Sequence, residues 1–289
     1  MASLCCSVCA LVLQTQICKT QQGEAFMRII ALTENTTENN SLDTEHGLSL
    51  YIETENHKIL FDMGQTDLFE KNADKLGVDI SAVDIAVLSH GHYDHGGGME
   101  RFLQINEKSP VYISKYAFEP HYSGTEKYIG LNTALCDNTR LIIVDDYLRL
   151  DNNLELFSCN LKNREHPTNS FGLNMITDNA MQPDDFKHEQ YLLITEGDKR
   201  VLISGCSHKG ILNIMQWFKP DVLVGGFHFM KLDPMGDGRA ELKKSAEILK
   251  SFDTTYYTCH CTGTEQYSCI KEAMKNQVNY LSCGQEIIL

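Results

Sequence analysis

The 289-residue chain has little positive charge: 25 lysine and arginine residues stand against 39 aspartate and glutamate residues, which gives a formal net charge of -14 at pH 7. A surface this acidic repels nucleic acid, so a nuclease is disfavoured and no nucleic-acid partner is expected. Long apolar runs are also lacking, and no stretch approaches the length of a membrane-spanning helix. Without repeats or low-complexity tracts, the sequence predicts a soluble globular protein of one large domain or two ordinary ones.

A disulfide framework is missing as well. The 11 cysteines are odd in number and scattered along the chain. This pattern is typical of a reduced, intracellular protein, which we expect to be cytoplasmic. Residues 4–13 are apolar but lack a basic leader and a clear cleavage site for a signal peptidase. We therefore predict that residues 1–26 are a non-structural extension and that the folded domain spans residues 27–289.

Strand and helix patterns alternate along the chain. Strands are predicted at residues 27–32, 48–53, 58–61, 83–88, 111–114, 191–195, 200–204, 221–224 and 254–258, with a final pair within 280–289. Helices are predicted at residues 66–76, 99–106, 211–218 and 239–252. Strands that alternate with helices predict an α/β chain.

Histidine is concentrated in one segment, residues 89–98, which read SHGHYDHGGG. His90 and His92 are two residues apart, so they point the same way from an extended segment and can share one ion. Asp94 and His95 follow at a turn, where they can offer ligands to a second ion. Because nitrogen and oxygen ligands dominate, two zinc ions are favoured, with iron or manganese as alternatives.

Residues 115–187 are less regular. A long irregular stretch after such a loop is typical of a lid or a set of substrate-binding loops, with a peripheral insertion as the alternative. Short strands are predicted at residues 141–144 and 154–158. His121 and His166 lie in this region, and because no spacing links them to other ligand-type residues, we predict that they are surface or lid residues.

Three further strand ends carry residues of the ligand type. The turn at residues 205–210 makes His208 the preferred third protein ligand of the first ion, because α/β proteins place their sites at such turns. A helix-capping role is the alternative for His208. His228 is predicted to contact substrate or to pack behind the site. Cys259 and Cys261 have no second pair at zinc-knuckle spacing, so we expect them to be buried neighbours of the site.

The His-x-His-x-Asp-His pattern of residues 90–95 resembles the signature of the metallo-β-lactamase superfamily. The motifs GCSHKGI, GGFH and HCTG narrow the resemblance to the branch that contains the archaeal 7,8-dihydropterin-6-methyl-4-(β-D-ribofuranosyl)aminobenzene-5'-phosphate synthase. The resemblance covers about residues 27–289. It implies an αββα sandwich of two mixed β-sheets, with helices outside and the metal ions at one edge.

The resemblance also implies roles for single residues. Asp62 would orient the histidine loop from behind, and His260 would bind the second ion together with Asp94 and His95. Asp94 is the residue to which we assign a catalytic role. The sequence departs from the superfamily at Cys206, where most members have an aspartate that bridges the ions. Cys206 could bind as a thiolate or be a small buried residue, and His188 could replace His208 as the upstream ligand.

The activity that the resemblance implies is that of a zinc-dependent hydrolase, in which a metal-activated water attacks an ester, thioester or phosphoester of a small molecule. One alternative is a dihydropterin synthase-like transferase that displaces pyrophosphate from a pterin. A catalytically inactive metal-binding sensor is the second alternative. The hydrolase and the transferase need the same ligands, so the ligands do not distinguish them.

Overall fold

The computed structural model describes residues 27–289, so the predicted extension at residues 1–26 lies outside the described residues. Two sheets of seven strands each form the centre of the molecule. The order of strands across the first sheet is Glu286–Ile288, Arg28–Thr33, Ser49–Glu53, Lys58–Phe61, Ile85–Val87, Val111–Ser114 and Leu141–Val144. The first four of these strands are antiparallel, and the last four are parallel.

The second sheet has the same mixed design. Its order is Val278–Tyr280, Thr255–Thr258, Val222–Val224, Lys199–Ile203, Tyr191–Glu196, Leu154–Phe157 and Tyr147–Arg149. Here the first four strands are parallel, and the last four are antiparallel. The predicted final pair of strands is therefore divided, because Val278–Tyr280 lies at the edge of the second sheet and Glu286–Ile288 at the edge of the first.

Within residues 27–289, helices cover the outer faces of the two sheets. Those on the first sheet are α1 (Leu68–Leu76) and α3 (Met99–Ile105), and those on the second are α4 (Ile211–Phe218), α5 (Gly238–Lys250) and α6 (Thr264–Met274). The short α2 (Tyr93–Gly96) carries Asp94 and His95. None of the helices within residues 27–289 is both long enough and apolar enough to cross a membrane.

The strand Lys58–Phe61 shows why the sheets stack. Ile59 and Phe61 pack with Leu192 and other side chains of the second sheet, whereas Leu60 points the opposite way and packs with Phe69 of α1. Successive side chains of a strand face opposite sides of the sheet, so an apolar residue at every position requires a covering layer on both faces. The layers are helix, sheet, sheet and helix, as the sequence predicted.

The region at residues 115–187 is divided between the sandwich and a small separate sheet. Three of its strands extend the two main sheets. Four others form the small sheet, in the order Ala180–Pro183, Leu173–Thr177, His121–Ser123 and Lys127–Tyr128. The part of this region that stands apart from the sandwich is therefore narrower than the predicted lid or insertion.

The ligand-type residues follow the parallel strands. Asp62 follows Lys58–Phe61, His90 comes three residues after Ile85–Val87, and Cys206 comes three residues after Lys199–Ile203. Because parallel strands end at the same edge of a sheet, the loops of both sheets meet at one edge of the sandwich.

Candidate metal centre

The histidine-rich loop is fixed by close packing. Gly91 separates the two histidines, and a Cβ atom at this position would lie 2.2 Å from the backbone oxygen of Ala117, so only glycine fits. His92 has extended backbone angles and ends the loop at the start of α2. The side chains of His90 and His92 are both buried.

Asp62 determines where the protons lie on two histidine rings. The residue is fully buried, and its backbone is left-handed, with φ at +61°. Its Oδ2 atom accepts hydrogen bonds from the Ser89 hydroxyl at 2.7 Å and from His95 Nδ1 at 2.6 Å. The Ser89 oxygen in turn accepts a hydrogen bond from His90 Nδ1 at 2.8 Å. Because Nδ1 of both rings faces an acceptor, Nε2 is the nitrogen that each ring can offer to a metal ion.

His90, His92 and His208 form a first cluster, in which one ligand atom of each lies within 4.8 Å of the others. His90 Nε2 and His208 Nε2 are 3.3 Å apart. The Glu189 carboxylate holds the loop of His208, because it accepts the backbone N–H of His208 at 2.6 Å and that of Lys209 at 3.0 Å. Burial, followed by the neighbouring imidazoles, lowers the pKa of His90 and of His208 well below the usual value, so both rings are neutral.

Asp94, His95 and His260 form a second cluster. His95 Nε2 lies 3.2 Å from His260 Nε2, which in turn lies 3.4 Å from Asp94 Oδ2. His260 Nδ1 donates to Asn35 Oδ1 at 2.8 Å, so the lone pair of its Nε2 faces the cluster. Burial alone would raise the pKa of Asp94, but His260 and His46 hold that pKa well below its usual range. Asp94 is therefore a carboxylate at neutral pH.

Cys206 lies between the two clusters. Its sulfur is 3.1 Å from His95 Nε2, and one ligand atom each of His90, His95 and Cys206 lie within 4.8 Å of one another. Cys206 also groups with His260 and Cys261 within the same limit. Burial and the neighbouring Cys261 raise the pKa of the Cys206 thiol. The thiol stands where the resemblance places a bridging aspartate, in reach of ligands from both clusters.

His46 is a residue of the site that the sequence did not reveal. Its Nε2 lies 3.3 Å from Asp94 Oδ2, and its ring centroid is 4.8 Å from that of His260. The side chain is 49% exposed, so it stands at the mouth of the site. An isolated histidine in a polar loop offers no spacing from which this position could be predicted.

His188 and His121 belong to a different buried group, centred on Asp184. His121 Nδ1 lies 2.7 Å and His188 Nε2 lies 3.3 Å from Asp184 Oδ2. His121 was predicted to be a surface or lid residue. It lies within residues 115–187, but it is not on the surface, because its ring is fully buried with Asp184 as its partner. The structure thus brings His208, and not His188, against His90 Nε2.

His228 separates two cavities. Its backbone is left-handed, with φ at +55°, and its ring centroid lies 4.3 Å from that of His208. Neither ring nitrogen has a hydrogen-bond partner among residues 27–289. One cavity, of about 260 Å³, is lined by residues of both clusters, and the other, of about 420 Å³, is lined by Phe171, Phe227 and the partly exposed His166. His228 thus lines the space that a substrate would enter.

Comparison with known proteins identifies the family. A family model of the metallo-β-lactamase superfamily matches residues 42–250, which is more than half of the chain. The chain belongs to the metallo-β-lactamase superfamily. Proteins of this superfamily bind metal ions. The groups of side chains that could hold one here include the first cluster, and Asp94 and His260 of the second cluster together with His46.

Three proteins illustrate the relationship within the superfamily. An uncharacterized protein of Methanocaldococcus jannaschii is 30% identical over 230 residues, which cover 76% of this chain and 84% of the relative. The 7,8-dihydropterin-6-methyl-4-(β-D-ribofuranosyl)-aminobenzene-5'-phosphate synthase of the same organism is 25% identical over 291 residues, which cover 90% of this chain and 96% of the synthase. A crystal structure described as a metal-dependent hydrolase of the β-lactamase superfamily is 30% identical, with a TM-score of 0.76 over 90% of this chain and 98% of that chain.

These findings confirm the superfamily, the resemblance to the synthase branch and the αββα sandwich that the sequence predicted. The fold is that of metal-dependent hydrolases. The names of the similar proteins include both a hydrolase and a synthase, so these similarities are compatible with either reaction.

Proposed function

We propose that the protein is a zinc-dependent hydrolase of ester, thioester or phosphoester bonds in small molecules. One observation carries this proposal: the Nε2 atoms of four buried histidines face each other in two pairs, His90 with His208 at 3.3 Å and His95 with His260 at 3.2 Å. In three of these rings Nδ1 is placed to donate its proton elsewhere. Two ring nitrogens this close to each other share a cation, which is either a proton or a metal ion, so the two pairs fit two metal ions.

The donor set suits zinc. His90, His92 and His208 would hold the first ion, and Asp94, His95 and His260 the second, with the Cys206 sulfur in reach of both sets. Nitrogen, carboxylate and thiolate ligands together are typical of zinc, and iron or manganese remain the alternatives. Bound zinc supplies a water whose pKa is lowered to about 7 and positive charge for the oxyanion that develops during hydrolysis.

Two residues of the chain would orient the water and the substrate for this reaction. Asp94 remains ionised and faces the cavity, where its carboxylate can accept a hydrogen bond from water and orient it. His228 has unpartnered ring nitrogens at the wall of the same cavity, and we assign it to substrate binding. The volume of about 260 Å³ fits a small molecule or the reacting end of a larger one.

A transferase that displaces pyrophosphate from a pterin is the second candidate. It is favoured by the 25% identity to the synthase, which extends over 90% of this chain. The same residues would hold the metal ions in both reactions. A catalytically inactive metal-binding sensor is disfavoured, because every ligand type except the bridging aspartate is present.

We also propose that the protein acts in the cytoplasm, without a nucleic-acid or membrane partner. The seven cysteines within the described residues are all free thiols, which supports a reducing compartment. The acidic composition supports a small-molecule substrate over nucleic acid.

Elemental analysis of the purified protein tests the function, together with a panel of phosphodiesters, thioesters and lactones. We expect about two zinc ions per chain and turnover of at least one ester class, with metal and activity reduced in His92→Ala. A Cys206→Ala variant shows whether the thiol is a ligand. Bound zinc with an inert ester panel would favour the transferase, and wild-type protein that binds no metal would overturn both.

A further inference from the structure

Behind the first cluster lies a second group of histidines that the proposed reaction does not use. It consists of His121, His188 and Asp184. It contacts His92 of the histidine-rich loop, residues 89–98, which is called the metal loop below. The side chains of these three residues and of His92 are all buried. The ring centroids of His121 and His188 lie 3.9 Å apart with the ring planes tilted by 31°, and His92 Nε2 lies 3.9 Å from Asp184 Oδ2.

This group has the residue types of a metal site, but its hydrogen bonds indicate another role. His188 Nδ1 accepts the backbone N–H of Gly91 at 2.8 Å, so a neutral His188 ring carries its proton on Nε2. That nitrogen therefore has no lone pair for a metal ion. It lies 3.3 Å from Asp184 Oδ2, although the geometry is not that of a hydrogen bond. His121 Nδ1 lies 2.7 Å from the same oxygen, which makes it a donor as well.

Asp184 is thus a carboxylate toward which several imidazole N–H groups converge. Histidines that bind metal through one nitrogen commonly donate the proton of the other to a carboxylate, which fixes the orientation of the ring. His92 Nε2 has no hydrogen-bond partner among the described residues, and Asp184 Oδ2 is the carboxylate oxygen in contact with it. With its Nε2 proton facing Asp184, His92 has Nδ1 free for a ligand on the other side of the ring.

We propose that Asp184 and His188 are positioning residues for the first metal ion: Asp184 orients the His92 ring, and His188 holds the metal loop through the Gly91 amide. Asp184 directly follows Ala180–Pro183 of the small sheet, His188 comes four residues later, and His121 begins the strand His121–Ser123. The small sheet is therefore joined to the metal loop by this group. The proposal rests on the metal binding of the proposed function, but not on the bond that is hydrolysed.

Zinc affinity, measured by competition with a chelator, and zinc content test the role. Asp184→Asn keeps the shape of the side chain but removes its charge. We expect one of the two ions to bind about 10- to 100-fold more weakly and the other to be unchanged. Asp146→Asn is the matched control, because Asp146 also accepts two hydrogen bonds, from Ser158 and Asn160, without contact to the metal ligands. It should keep both ions.

Two variants of His188 keep the test decisive if Asp184→Asn does not fold. His188→Asn places an amide oxygen where Nδ1 accepts the Gly91 amide, whereas His188→Leu offers no acceptor. We expect His188→Asn to retain the first ion more tightly than His188→Leu, with a cobalt(II) absorption spectrum closer to that of the wild type. A purely structural role would change the unfolding midpoint without this difference in the spectrum.

The remaining outcomes would overturn either the positioning role or the proposed function. Wild-type affinity for both ions in Asp184→Asn and His188→Leu would overturn the positioning role and leave the proposed function intact. Three zinc ions in the wild type and two in Asp184→Asn would also overturn it, since Asp184 would then be a ligand. Absence of zinc from the wild type would overturn the proposed function itself.

Discussion

Asp62 shows how one buried side chain prepares several ligands at once. Through Ser89 and His95 it holds the Nδ1 side of two rings, so that His90 and His95 turn their Nε2 atoms toward different clusters. The residue has no contact with the proposed ions, and its effect is to set which nitrogen is free. Its left-handed backbone is a conformation that asparagine also adopts readily, so a charge change can be made here without backbone strain.

Asp62→Asn should therefore weaken zinc binding without unfolding the protein. We expect a loss of about 10- to 100-fold in zinc affinity, because the amide no longer stabilises the required proton positions. Chelator competition measures the loss. The exposed Asp79→Asn serves as the control and should bind zinc normally. Wild-type affinity in Asp62→Asn would contradict the role assigned to this carboxylate.

Zinc uptake should release a proton from His95. Burial alone would lower the pKa of His95, but the Asp62 carboxylate raises it to about 9 in the metal-free protein. At about pH 7.5 the ring is then doubly protonated, and metal binding at Nε2 must displace one proton, so zinc affinity rises with pH until about 9 and then levels off.

Titration calorimetry in two buffers of different ionisation enthalpy measures this proton. About one more proton should be released per chain at pH 7.5 than at pH 10. The difference should shrink in Asp62→Asn, which lacks the charge that raises the pKa. An equal proton count at the two pH values would show that His95 is already neutral before the metal binds.

The metal loop depends on its contact with the segment before the small sheet. Gly91→Ala would drive a Cβ atom against the backbone oxygen of Ala117, and backbone has little freedom to withdraw. We expect a loss of about 1–3 kcal/mol in the free energy of unfolding, typical of overpacking, together with a loss of bound zinc. Denaturant unfolding and elemental analysis measure the two effects.

Gly77→Ala is the matched control for this substitution. Nothing lies within 4 Å of its added Cβ atom, but its backbone is left-handed, with φ at +71°. It should cost about 1 kcal/mol through backbone strain and leave the zinc content unchanged. A Gly91→Ala protein with normal zinc content would show that the loop tolerates displacement.

The main strands could be predicted because their side chains are apolar on both faces, and the histidine loop because its ligands are neighbours in sequence. The small sheet could not, since strands such as Ala180–Pro183 are exposed along their whole length and carry no periodic signal. Of the carboxylates that hold the ligand loops, Asp62 was expected from the resemblance, but Glu34 and Glu189 were not. Glu34 accepts the backbone N–H of His260 at 2.6 Å across 226 residues of sequence, a contact that no local spacing records.

Each of the two clusters takes its proposed metal ligands from both sheets. The first sheet carries His90, His92, Asp94 and His95, and the second carries Cys206, His208 and, after Thr255–Thr258, His260. A bound ion would therefore join the two halves of the sandwich. Metal binding and global stability should be coupled, because a ligand that binds only the folded state stabilises it by mass action.

Removal of metal by a chelator should consequently lower the unfolding midpoint. At free zinc about 1,000 times the Kd, the expected stabilisation is about 4 kcal/mol. Thermal unfolding with and without chelator measures it. The His92→Ala protein should respond less to the chelator, having lost part of its metal. An unchanged midpoint in the wild type would mean that the ions do not link the two sheets.

The strand Arg28–Thr33 lies between Ser49–Glu53 and Glu286–Ile288, and its contact with the latter joins Arg28 to Glu286 across 258 residues of sequence. During synthesis at 5–20 residues per second, one edge of this strand stays unpaired for roughly 13–50 s. An uncovered strand edge is a template for pairing with other chains. The nascent chain is thus exposed to such pairing until Glu286–Ile288 emerges, and a chaperone that shields Arg28–Thr33 would protect it until then.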